Sequence, residues 1–134
     1  RWRAGQLQQI TKDHSLLQEQ LDAGLITPEQ ALTSLNKNLV TRAVGVEDAV
    51  LLEVNEHRVE LGDIYLMCSD GLSDMISHEA IAAILLGARS LDQTARELVI
   101  AANEAGGRDN ISVLLAQAGE ASVKRGLLSR ILGK

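Results

Sequence analysis

Residues 63–75 read DIYLMCSDGLSDM, an apolar run that stops abruptly on an acid. Ile64 to Cys68 are apolar without interruption, the pattern of a short strand buried on both faces. Asp70 then stands where that strand should end. Gly71 follows it, the residue type that lets a backbone approach something closely. A second stretch, GGRDNISVLLAQ at 106–117, has the reverse order: glycines, an acid, then a strand. If the two strands pair antiparallel, Asp70 and Asp109 meet at one edge of the sheet, and the residues between them form its helical cover. Two carboxylates so placed repel each other unless a cation lies between them. A hard divalent ion such as Mg²⁺ or Mn²⁺, which prefers oxygen ligands, suits the position. Asp-Gly and Asp-Asn are equally ordinary turn dipeptides, so spacing alone leaves a plain turn reading open.

Outward from this pair, the composition sets bounds. The chain has 134 residues, enough for one domain with a real core. Trp2 and Tyr65 are its only aromatic residues, so the core must be built from Leu, Ile, Val and Ala. A net charge of −5 gives no basic field to attract nucleic acid. Cys68 is the single cysteine, expected to pack inertly in the core and fitting a reducing, cytoplasmic setting. No apolar run is long enough to span a bilayer as a helix. The chain opens on Arg1-Trp2-Arg3 without a methionine, and we read it as a piece of a longer protein.

Residues 2–11 suggest a hairpin arm that turns at Ala4-Gly5 and continues as a strand through Leu7 and Ile10. Leu16, Leu17 and Leu21 suit one helical face, closed by Gly24. Thr27-Pro28-Glu29-Gln30 is a capping box with proline at the first helical position, and Asn36-Lys37-Asn38 should break that helix. Residues 39–45 and 49–54 read as strands or strand-like segments, with turns at 55–57 and 61–63. Ser77 should cap a helix ending near Gly87, and Ser90-Leu91-Asp92-Gln93 opens another that ends at Gly106-Gly107. The order predicts an α+β fold, a mostly antiparallel sheet covered by helices.

Four stretches taken together carry a family resemblance. GDIYLMCSDGLSDMI at 62–76 is followed in order by TARELVIAANEAGGRDNISVLL at 94–115. Upstream stand QITKDHSLLQEQLDAGLITPEQA at 9–31 and NLVTRAVG at 38–45. The set resembles the C-terminal half of the PPM (PP2C-like) metal-dependent protein serine/threonine phosphatases of bacterial type, over about residues 2–117. That resemblance implies an αββα sandwich of which this chain is one part, with residues 14–45 as a flap-like insert; residues 118–134 lie beyond it and read from their own composition as a small, basic, appended tail. It also implies that Asp70 and Asp109 are metal ligands, with Gly71 leaving room beside the first and Asn110 orienting the second or its turn. Asp74, close to Asp70 in sequence, could reach a metal edge but reads first as the cap of the short helical turn after the motif. The implied cofactor is two or more Mn²⁺ or Mg²⁺ ions, and the implied reaction is hydrolysis of phosphoserine or phosphothreonine by a metal-activated water. The partners would be phosphoproteins and an opposing kinase.

The family's phosphate-gripping arginine and metal-bridging acid lie in a portion absent from this chain, so the chain alone is expected to be inactive. Uncovered sheet edges suggest an alternative, a non-catalytic module that self-associates or regulates a partner. Arg42 and Arg108 are candidates to meet a phosphate group. His14 reads as a structural hydrogen-bonding residue, His57 and His78 as surface residues. Ser69 lacks a base and is rejected as a nucleophile.

Overall fold

In the computed structural model, residues 1–32, 34, 39–42, 45, 49, 52–87 and 90–120 are described. They fall into two compact units. One comprises residues 1–8 with the described residues from 58 onward, the other Gln9–His57.

The first unit holds a four-stranded antiparallel sheet in the order β2-β1-β3-β4. Strands β1 (Trp2–Arg3) and β2 (Gln6–Leu7) form the expected hairpin. Ala4 and Gly5 turn it with φ of 49° and 81°, the two positive values that a tight two-residue hairpin loop requires. β2 stops at Leu7 and does not reach Ile10, a correction to the longer strand expected. Strand β3 (Ile64–Cys68) pairs with β4 (Val113–Gln117) from Ile64↔Gln117 to Cys68↔Val113. The two motif strands are thus direct antiparallel neighbours, as their sequence order suggested.

Three helices lie between β3 and β4 in the chain: α3 (Asp70–Ser73), α4 (His78–Leu86) and α5 (Leu91–Glu104). Ser77 and Ser90 cap the last two, accepting from the amides of Ala80 and Gln93. The core is Ile64, Leu72, Ile81, Leu85, Leu98 and Ala102, with Trp2, Leu66, Met75, Val113 and Leu115 packed against it. It is aliphatic, as the near absence of aromatic residues dictated.

The opposite face of the sheet departs from expectation. β3 is not buried on both sides: Met67 is 58% exposed and its direct partner Leu114 is 52% exposed. The side-chain period of two sends Ile64 and Leu66 into the core and Met67 away from it. Among the described residues there is one sheet, and no second layer covers this face.

A buried ion pair ties the hairpin to the start of β3. Arg3 donates from Nε to Asp63 Oδ1 at 2.6 Å and from Nη2 to Asp63 Oδ2 at 2.5 Å. It also reaches Glu60 Oε1 at 2.7 Å and the Arg58 carbonyl at 2.8 Å. Asp63 further accepts from the Glu60 amide and the Tyr65 hydroxyl. Only 1% exposed, Asp63 escapes the cost of an uncompensated buried charge through this set of bonds. Its carboxyl is held well below the usual range, first by the Arg3 hydrogen bond.

In the second unit, α1 (Leu16–Asp22) is capped by Ser15, and α2 (Pro28–Leu32) carries the predicted box. The Gln30 amide donates to Thr27 Oγ1 at 3.3 Å and Gln30 Oε1 accepts from the Thr27 amide at 2.8 Å. Lys12 pairs with Asp22. The strands expected at 39–45 and 49–54 do not form in the described residues. Val40 makes one isolated bridge to Ser15, and 52–54 are irregular and exposed. Leu52 and Val54 are apolar, yet nothing among the described residues pairs their backbone into a ladder, and composition alone does not make a strand. The rest of those two stretches, the breaker at 36–38 and the tail from 121 on lie outside the described residues.

Candidate metal centre

Register brings the two acidic loops together. Cys68↔Val113 is the last rung of the β3–β4 ladder, so the chain leaves β3 and enters β4 at the same end of the sheet. One step beyond, the Ser69 amide donates to the Ser112 carbonyl at 3.0 Å. The Ser69 hydroxyl accepts from the Ser112 amide at 3.0 Å and donates to the Asn110 carbonyl at 2.9 Å. Asp70 opens α3 on one side of this junction, and Asp109 lies immediately before Asn110 on the other.

Both carboxylates are exposed and share a local geometry. Asp70 Oδ1 accepts the Gly71 amide at 2.9 Å, and Asp109 Oδ1 accepts the Asn110 amide at 2.6 Å. Among the described residues neither Oδ2 has a hydrogen-bond partner. Each acid is therefore steadied through one oxygen and leaves the other free for a ligand. Gly71 is buried against the opposing loop: a Cβ built on it would lie 2.4 Å from the Asn110 carbonyl oxygen and 2.9 Å from its carbon. Only glycine fits.

Two exposed carboxylates on interlocked loops match the hard oxygen donors that Mg²⁺ and Mn²⁺ prefer. The set is short. Among the described residues no group of three His, Cys, Asp or Glu side chains could hold a metal, so Asp74 does not complete a triad with these two. Asp74 stands at the C-terminal cap of α3, its amide bonded to the Asp70 carbonyl at 2.8 Å. An ion here would need further ligands or coordinated water.

The other candidates lie as follows. Cys68, expected in the core, is exposed at the end of β3, a correction. Partial burial, with the charge of Asp70 adding to it, pushes its thiol pKa up. Arg108 is exposed beside Asp109. In the second unit, His14 Nε2 lies 2.9 Å from Glu53 Oε2, and Arg42 Nη1 is 3.5 Å from the same nitrogen. The His14 hydrogen bond is the main cause holding the Glu53 carboxyl below its ordinary value. His78 Nε2 meets the Leu7 carbonyl at 3.1 Å, and His57 is exposed.

The Ser69 strap and the Arg3–Asp63 pair were not foreseen. A serine at a strand end before an acid is visible in the sequence, but no local pattern shows that its hydroxyl bonds residues 41 and 43 positions away. An arginine 60 residues from its partner leaves no local signal.

No family model matches the chain. Individual relatives do. It is 40% identical over 111 residues to the serine/threonine phosphatase stp of Listeria welshimeri, covering 83% of this chain and 44% of that protein. The solved serine/threonine phosphatase PstP/Ppp of Mycobacterium tuberculosis superposes with a TM-score of 0.80 at 38% identity, covering 87% of this chain and 49% of that one. A structure of the PstP catalytic domain in complex with 2 manganese ions matches with a TM-score of 0.68 at 40% identity, covering 88% and 48%. The chain thus spans just under half the length of the relatives it matches. In sequence and fold it is a member of the PPM (PP2C-like) serine/threonine phosphatase family.

Proposed function

We propose that this chain supplies the two-aspartate part of a metal-dependent phosphatase that hydrolyses phosphoserine and phosphothreonine in proteins. The observation that carries the reading is the junction at the end of the β3–β4 ladder, where Asp70 and Asp109 stand on loops bonded directly to one another. Asp70 and Asp109 would hold Mn²⁺ or Mg²⁺ through their free oxygens, with Gly71 and Asn110 setting the approach of the two loops. Asp74 is the weaker candidate ligand. When bound, a pair of such ions supplies Lewis-acid activation of water for attack on phosphorus. The Arg108 guanidinium, at the rim beside Asp109, has the charge and planarity to orient an incoming phosphate.

In the same reading, residues 1–117 form the C-terminal portion of the phosphatase domain, with 14–45 as a flap-like insert and 118–134 as an appended basic tail. A two-aspartate set is too small for a tight site, so the isolated chain should be inactive and the activity should belong to a longer protein. Its substrates would be the products of a protein kinase. A cytoplasmic location is supported by the single, unpaired Cys68. Among the described residues no helix is long and apolar enough to cross a membrane.

The test is phosphate release from phosphothreonine and phosphoserine peptides by the full-length protein, with and without Mn²⁺. Metal-dependent release abolished by Asp70→Asn and by Asp109→Asn is the expected result. Undiminished release in either variant would overturn the assignment.

A second reading rests on the exposed Met67–Leu114 pair. We propose self-association through this face and the adjoining β4 edge, since an uncovered apolar sheet face favours pairing. Sedimentation should show a dimer that Met67→Lys dissociates; a wild-type protein that stays monomeric at all concentrations would rule it out.

A further inference from the structure

Among the described residues four serines occupy helix N-cap positions, and one behaves differently from the rest. Ser15, Ser77 and Ser90 each accept a hydrogen bond from an amide in their own helix, from Gln18, Ala80 and Gln93. That is the normal stabilising role of an N-cap hydroxyl. Ser69 holds the same position at α3 with the same extended backbone, φ −76° and ψ 165°, yet its side chain makes no cap bond. Its hydroxyl instead crosses to the opposing loop, donating to the Asn110 carbonyl at 2.9 Å and accepting from the Ser112 amide at 3.0 Å.

The residues this hydroxyl joins are telling. Ser69 immediately precedes Asp70, and Asn110 immediately follows Asp109. One oxygen therefore bridges the backbones adjoining both carboxylates. The Asn110 carbonyl it receives is the same group that lies against the bare Cα of Gly71. Drawn in by a hydroxyl on one side and stopped by a glycine on the other, that carbonyl has little room to move. A cap bond would stabilise only a one-turn helix; the cross-loop bonds tie together the backbones that carry the two acids.

We propose that Ser69 is a positioning residue whose hydroxyl sets the separation of Asp70 and Asp109 for metal binding. It touches neither metal nor substrate and acts through the two loops. The inference rests on the metal-ligand reading of the two aspartates given above. Removing a group that orients metal ligands typically weakens affinity about 10–100-fold, and a site loosened by as little as about 0.5 Å loses function.

The experiment is Mn²⁺ titration of the full-length protein by calorimetry, for wild type, Ser69→Ala, Ser69→Thr, Asp70→Asn and Asp109→Asn. Thermal unfolding in EDTA is measured alongside. Ser69→Ala should raise the Mn²⁺ dissociation constant by about tenfold or more, while Ser69→Thr, which keeps the hydroxyl, should bind close to wild type. The unfolding temperature of Ser69→Ala in EDTA should fall little, because the strap lies on the exposed rim. Unchanged Mn²⁺ affinity in Ser69→Ala, or equal weakening in Ser69→Thr, would overturn the positioning role while leaving the ligands standing. Wild-type binding in both aspartate variants would remove the ligand assignment itself, and the role of Ser69 with it.

Discussion

Replacing Gly71 with alanine adds one methyl group at the tightest point of the junction. That carbon would lie 2.4 Å from the Asn110 carbonyl oxygen, about 0.9 Å inside the ~3.3 Å at which carbon and a carbonyl oxygen normally meet. The obstructing atoms are backbone, so no side chain can swing away. Either α3 or the 109–112 loop must retreat. Overpacking of this kind costs about 1–3 kcal/mol. Alanine is also a better helix former than glycine by up to about 1 kcal/mol, but α3 is a single turn and gains only part of that. The steric cost wins, and the net loss should be about 1–2 kcal/mol. The retreat should also separate the two carboxylates and weaken Mn²⁺ binding by about 10–100-fold. Urea unfolding in EDTA measures the first effect and calorimetric titration of Mn²⁺ the second. Wild-type stability together with wild-type metal affinity in Gly71→Ala would refute the close-approach argument.

Two other perturbations probe the scaffold. Leu98→Ala empties a fully buried position between α5 and the sheet. It should cost about 2–5 kcal/mol in urea unfolding, with Mn²⁺ affinity close to wild type. Asp63→Asn should destabilise the protein at neutral pH in a way that fades with acid. The folded-state pKa of Asp63 is depressed, mainly by the Arg3 hydrogen bond. Its stabilisation is therefore present above the unfolded carboxyl value of about 3.9 and is lost as pH falls from there toward the folded value. The gap between wild type and Asp63→Asn, followed by unfolding from pH 7 down, should narrow below about pH 4. A constant gap would mean the pair contributes nothing.

Local chemistry was legible from sequence, and long-range pairing was not. The caps at Ser77 and Ser90 and the box at Thr27 and Gln30 formed as expected, because a cap is decided within four residues. The β3–β4 pairing could be read because two acid-bearing turns flank two apolar runs in reverse order. The apolar residues of 52–54 looked like a strand but pair with nothing described, since strand formation depends on a neighbour the pattern does not name. Cys68 was placed in the core by its apolar neighbours, yet it lies exposed at the end of β3, where the ladder gives way to the acidic loop. The role of the Ser69 hydroxyl depends on residues 41 and 43 positions away, beyond any local pattern.

The central claim is that Asp70 and Asp109 together bind a divalent metal. Calorimetric titration of Mn²⁺ into the full-length protein and its Asp70→Asn and Asp109→Asn variants tests it most directly. Saturable binding in wild type, with a site lost in each variant, is the predicted result. Binding unchanged in either variant would contradict the account.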